Sequence, residues 1–141
     1  MINDIIKGIV SAIRKEFGEG YMIYTEEVRQ GLKEPCFFIL ALNPEYGLYR
    51  GHRYFGRNGF VIQFMPPDAE NTKNKECHEA AERLFECLEI TEILGDKIRG
   101  TNMNYEINEG VMSFFVNYDM FTRKTEETES MEELKERTGA M

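Results

Sequence analysis

His52 and His78, with Cys36, Cys77 and Cys87, are the residues whose types best suit metal or nucleophilic chemistry in this chain. Cys77-His78 together with His52 invites a metal reading. Structural zinc, however, asks for two close ligand pairs such as C-x₂-C, because four ligands must converge on one ion. The three cysteines are odd in number and show no paired spacing. They predict free thiols in a reducing compartment, not a disulfide framework. Cys36 opens an apolar run and Cys77 lies on an apolar helix face, so both read as small buried thiols. Neither histidine accompanies a nucleophile elbow such as G-x-S-x-G, and both read as exposed polar residues. The sequence contains no P-loop, G-x-G-x-x-G or DxDxDG run. No cofactor is expected.

The carboxylates offer no better site. A metal-dependent nuclease places an acid on one central strand and an acid-x-Lys on the next, to hold the metal and steady the attacking water. The apolar runs here, CFFILAL from Cys36 and FVIQFM from Phe60, carry no carboxylate, and Glu26 and Glu27 precede them without a partner. A small nuclease is therefore the weakest alternative, and the chain is expected not to be an enzyme. Net charge is -8, from 17 basic and 25 acidic side chains. Phosphate binding needs clustered Lys and Arg, so a nucleic-acid binder is disfavoured. One locally basic, aromatic stretch stands out: Tyr49, Arg50, Arg53, Tyr54, Phe55 and Arg57. Its glycines are not spaced to cradle phosphate. Tyr and Arg are favoured anchors in protein interfaces, and the competing reading is a solvated hairpin tip.

The elements that must carry these residues follow from periodicity. Ile2, Ile5, Ile6, Ile9, Val10, Ile13 and Phe17 make a stripe roughly 140° wide on a helix. Asn3 is its expected N-cap, and Gly18-Glu19-Gly20 its end. A strand is expected in Tyr21–Val28. Another starts after Pro35 at Cys36–Leu42, apolar on both faces and so expected to be covered on both. Asn43-Pro44-Glu45-Tyr46-Gly47 reads as a turn. Phe60–Met65 is a third strand, stopped by Pro66-Pro67. A second amphipathic helix spans about Asn74–Glu89, and residues 90–99 read as a connection or short strand. Asn102–Ile107 and Val111–Phe121 alternate around the turn Asn108-Glu109-Gly110. The order α-β-β-β-α-β-β predicts an α+β fold, an antiparallel or mixed sheet with both helices packed on it. Phe37, Ile39, Phe60, Ile62, Phe114 and Val116 are its expected core. The domain is expected to occupy residues 1–123, with an acidic C-terminal extension at 124–141 in which six Glu face Lys124, Lys135 and Arg137. Met131 and Leu134 could give that extension a short apolar stripe. No uncharged run approaches the ~20 residues a membrane span requires.

Three stretches resemble the phage tail terminator family of Gram-positive prophages and phage-tail-like particles: YTEEVRQGLKEPCFFIL from Tyr24, FVIQFMP from Phe60, and NYEINEGVMSFFVNYDMF from Asn104. The first is the most specific, and Tyr24, Glu26, Gln30, Gly31 and Pro35 are the matching positions. These five could equally shape the turn into a buried strand. The likeness covers about residues 1–124. It implies a structural subunit of a virion or tail-like particle, assembled in the host cytoplasm. Such a subunit forms a homo-hexameric ring on the head-proximal end of the tail tube. There it stops polymerisation and presents a surface to a head connector or terminal sheath ring. A head–tail connector or completion protein is the alternative. The interface candidates are Arg50, Arg53, Tyr54, Arg57, Met131 and Leu134.

Overall fold

The computed structural model describes residues 1–26, 31–67 and 72–123. Helix α1 spans Ile2–Phe17 and buries Ile5, Gly8, Ile9, Ile13 and Phe17. Asn3 does not cap it. Met1 takes the N-cap place without a side-chain cap, its carbonyl accepts the N–H groups of Asp4 and Ile5 at 3.1 Å, and its ammonium group lies 3.4 Å from Asp4. Asp4 in the first turn supplies the negative charge that the N-terminal end of the helix dipole favours. At the other end the Arg14 guanidinium donates to the carbonyls of Gly18 and Tyr21 at 3.2 and 2.7 Å, fixing the exit.

Strand β1, Met22–Tyr24, runs parallel to β2, Cys36–Arg50, with Met22 opposite Cys36. Strand β3 is Arg53–Met65, and helix α2 is Lys73–Cys87. Strands β4, Ile90–Ile93, and β5, Asp96–Arg99, form a separate two-stranded hairpin, where a connection or a short strand was expected. Strands β6, Thr101–Asn108, and β7, Val111–Asn117, flank the Glu109-Gly110 turn, and β8 is Met120–Arg123. The larger sheet has the order β1-β2-β3-β7-β6, with β8 also on β3. It is mixed, because β1 pairs in parallel while β3, β6, β7 and β8 pair antiparallel. The fold class is α+β, as the patterning predicts.

Chain contacts divide the protein into two units. The first comprises Met1–Pro44 and Arg57–Asp119. Its core joins Phe37, Ile39, Phe60, Ile62, Phe64, Met112, Phe114 and Val116 to Ile5, Ile9, Ile13, Ala81 and Leu84, all at 4% exposure or less. Phe17 meets Phe37 at 4.8 Å and Phe85 meets Phe114 at 4.9 Å, so both helices cover the same sheet face. The six core residues expected from alternation all lie in it. The opposite face differs from expectation. Cys36 on that face is buried, but Phe38 is half-buried and Leu40 and Leu42 are 41% and 40% exposed, so the described residues cover it only at the start of the strand. Gly100 is required by close packing. A Cβ there would lie 2.6 Å from the Leu88 carbonyl oxygen and 2.9 Å from Val116.

The second unit comprises Glu45–Gly56 and, among the described residues, 120–123. The turn expected at residues 43–47 is absent. Strand β2 continues to Arg50, and the chain reverses at Gly51-His52. Asn43, at φ 41, is a residue type that tolerates this conformation. Within this unit β8 pairs with β3, Arg53 opposite Arg123 through Gly56 opposite Met120.

Candidate functional site

The groups suited to chemistry are scattered. Cys36 and Cys77 are buried, Cys87 is half-buried, and all three are free thiols. Burial, with Glu34 and Glu76 nearby, pushes the Cys36 and Cys77 thiols up from their usual range, and burial beside Glu16 pushes Cys87 up to about 12. A thiol so protonated is a poor nucleophile at neutral pH. The exposed His78 makes a 2.7 Å hydrogen bond between Nδ1 and the Tyr105 hydroxyl. His52 is exposed at the Gly51-His52 turn. Among the described residues no three His, Cys, Asp or Glu side chains group as metal ligands, and no helix is long and apolar enough to cross a membrane.

One buried polar cluster has a structural role that the sequence did not announce. The Tyr118 hydroxyl donates to the Leu88 carbonyl at 2.7 Å and lies 2.8 Å from Thr91 Oγ1. Burial raises its pKa above the ordinary tyrosine range. Asn58, 2% exposed, donates through its side chain to the Tyr118 carbonyl at 3.0 Å and through its backbone N–H to Asp119 at 2.9 Å. Tyr118→Phe should leave the Leu88 carbonyl and Thr91 hydroxyl without this partner, at a cost of about 1–3 kcal/mol. Chemical denaturation measures it, and an unchanged midpoint would mean these groups find other partners.

The second unit carries the most exposed aromatic surface. Tyr46, Tyr49 and Phe121 are 53%, 61% and 47% exposed. Tyr46 stacks on Tyr54 at 5.2 Å, while Tyr49 and Phe55 each meet Phe121 at about 5 Å. The Arg53 guanidinium sits 4.9 Å over the Phe121 ring, a cation–π arrangement. The structure thus brings Arg53 and Tyr54 into one strand end, with Arg50 across the turn. Arg57 is exposed and belongs to the first unit. Phe121 and Tyr46 joined this surface unannounced. The clustering of Tyr46, Tyr49, Tyr54 and Phe55 is the signal that points to it. Met131 and Leu134 lie outside the described residues.

Of the positions matched to the family stretch, Tyr24 stacks on Phe38 at 5.1 Å and its hydroxyl accepts the Lys33 N–H at 3.3 Å. Pro35 is half-buried, and its carbonyl accepts the Met22 N–H at 3.2 Å. Gly31 has φ 76, a conformation that favours glycine, and Glu26 is exposed. Gln30 lies outside the described residues. The placed residues Tyr24 and Pro35 therefore join β1 to the start of β2.

An α+β protein with a mixed sheet and a surface of exposed aromatic side chains is the class these features define. Residues 4–130 match the family described as phage tail terminator protein, and the chain belongs to the phage tail terminator family. Among solved structures it is similar to the sheath/tube terminator of PVC, an extracellular contractile injection system, in its extended state, at 11% identity and a TM-score of 0.49. That match covers 88% of this chain, which spans only 57% of the PVC chain. A second solved chain aligns at 10% identity and a TM-score of 0.40, over 86% of this chain and 96% of the other. No curated protein matches.

Proposed function

We propose that this chain caps the head-proximal end of a tail tube as a homo-hexameric ring, stops its polymerisation and presents a surface to a head connector or terminal sheath ring. Membership of the terminator family is the observation that carries this reading. The exposed arm supports it, since an interaction subunit needs anchors of this kind. Capping requires no catalysis. A tube grows because each subunit presents a face matching the one below. A terminator matches that face on one side and withholds it on the other, so further addition becomes unfavourable. A head-to-tail ring uses two different patches per subunit. With six copies at -8 each, self-repulsion favours monomers in dilute solution at low salt and assembly on the tube tip. The particle, and not a membrane or nucleic acid, is the working environment in this reading.

Deleting the chain should give tubes of uncontrolled length, with heads unattached where heads exist. Electron microscopy of tube lengths is the check. Tubes of normal, uniform length without the chain would sink the terminator reading and promote the connector alternative.

A further inference from the structure

The arm that ends in Gly51-His52 is basic as well as aromatic. Between Glu45 and Gly56 the only carboxylate is Glu45, against Arg50 and Arg53, on a chain whose net charge is -8. Leu48 and Tyr49 are 63% and 61% exposed, so the arm offers apolar area beside its charges. The same chain carries a surface of opposite sign. Glu79, Glu82 and Glu86 on α2 are all exposed. At 100° per residue they fall on one narrow stripe. This stripe works against its own helix. Like charges at i,i+4, as in Glu82 and Glu86, are destabilising. Glu86 lies in the last turn, where the helix dipole favours cations and α2 has no basic residue. Arg83, the cation between them, is committed to Glu16 at 3.0 Å. Among the described residues no ion pair joins Glu79, Glu82 or Glu86.

We infer that the arm of one copy docks on the α2 stripe of a second copy, with Arg50 and Arg53 meeting Glu82 and Glu86. Tyr49 and Phe121 then lose solvent exposure against that helix. Charge complementarity selects the occupant. A net acidic chain repels its copies everywhere except where a basic segment meets an acidic one. The contact rests on the ring reading above and supplies its two unlike patches.

Sedimentation velocity of the full chain tests this through the sign of two variants, over a concentration series that reaches well beyond the dilute range at moderate salt, where general repulsion between copies is screened. Arg50→Glu with Arg53→Glu takes the net charge from -8 to -12, and Glu82→Arg with Glu86→Arg takes it to -4. General repulsion alone predicts weaker association for the first and stronger for the second. The specific contact predicts that both weaken, each by roughly tenfold. Combining all four substitutions restores -8 and the paired charges, so association should return towards the parent level. All positions are on the surface, and an unchanged melting temperature certifies folding of each variant. Stronger association of the glutamate variant, no rescue in the combined variant, or a parent chain monomeric throughout the series would overturn the proposal. An arginine variant that loses only tube binding, with the glutamate variant unaffected, would assign the arm to the tube subunit instead. Any of these outcomes beside uncontrolled tube length in the deletion would leave the capping reading standing.

Discussion

Phe114→Ala should lower the stability of the folded chain by about 3–5 kcal/mol. Phe114 is fully buried at the middle of β7, opposite Ile62 on β3 and Tyr105 on β6. The Phe85 ring of α2 meets it edge-on at 4.9 Å. Removing the ring deletes buried apolar surface and leaves a cavity between sheet and helix. The walls cannot easily close, because the ladders on both sides of β7 fix its position. A domain of ordinary stability has about 5–15 kcal/mol in all, so this one substitution should remove a large share. Phe115→Ala is the matched control. Phe115 is half-buried on the other face, and its loss should cost clearly less. Chemical denaturation of the two variants gives the comparison. An unchanged melt for Phe114→Ala would mean that the facing of β7 is wrong.

Where periodicity was strong, the sequence was sufficient to place the elements. In α1 the centre of the stripe, Ile5, Ile9, Ile13 and Phe17, is buried and its margins Ile2, Ile6 and Val10 are half-buried, while the alternation Met112, Phe114, Val116, Tyr118 reappears as a fully buried row. These patterns repeat enough times to separate period 3.6 from period 2. The segment around Asn43-Pro44 was misleading for a physical reason. Its composition favours a turn, but Asn43 takes up the positive φ within the strand itself and β2 continues to Arg50. Cys36–Leu42 misled differently. Apolar residues on both faces of a strand state that neither prefers water, and they do not state whether this chain supplies the cover. Residues 90–99 left a connection and a short strand both open, because β4 and β5 are only four residues long each, too short for alternation to register.

The candidate surface was half legible. Arg50, Arg53 and Tyr54 sit together because they are neighbours in sequence, flanking one turn. Phe121 reaches them only through the pairing of β8 with β3, a long-range contact that local patterning cannot reveal. The break at Tyr118 and Asp119 that separates β8 from β7 was also invisible. It depends on Asn58, whose side-chain and backbone hydrogen bonds hold both residues.

Adding the purified chain to tube subunits during polymerisation tests the capping account most directly, because it asks how many copies stop growth. A cap acts on tube ends, which are far fewer than subunits. Elongation should therefore cease at a small fraction of equimolar, with about one ring's worth of chain bound per finished tube and lengths set by the time of addition. A protein that merely sequesters free tube subunits must approach equimolar amounts before growth slows. Electron microscopy of tube length against added chain separates these cases. Arrest at substoichiometric ratios is the result the account predicts, and elongation that continues until the chain is equimolar, or never stops, would contradict it.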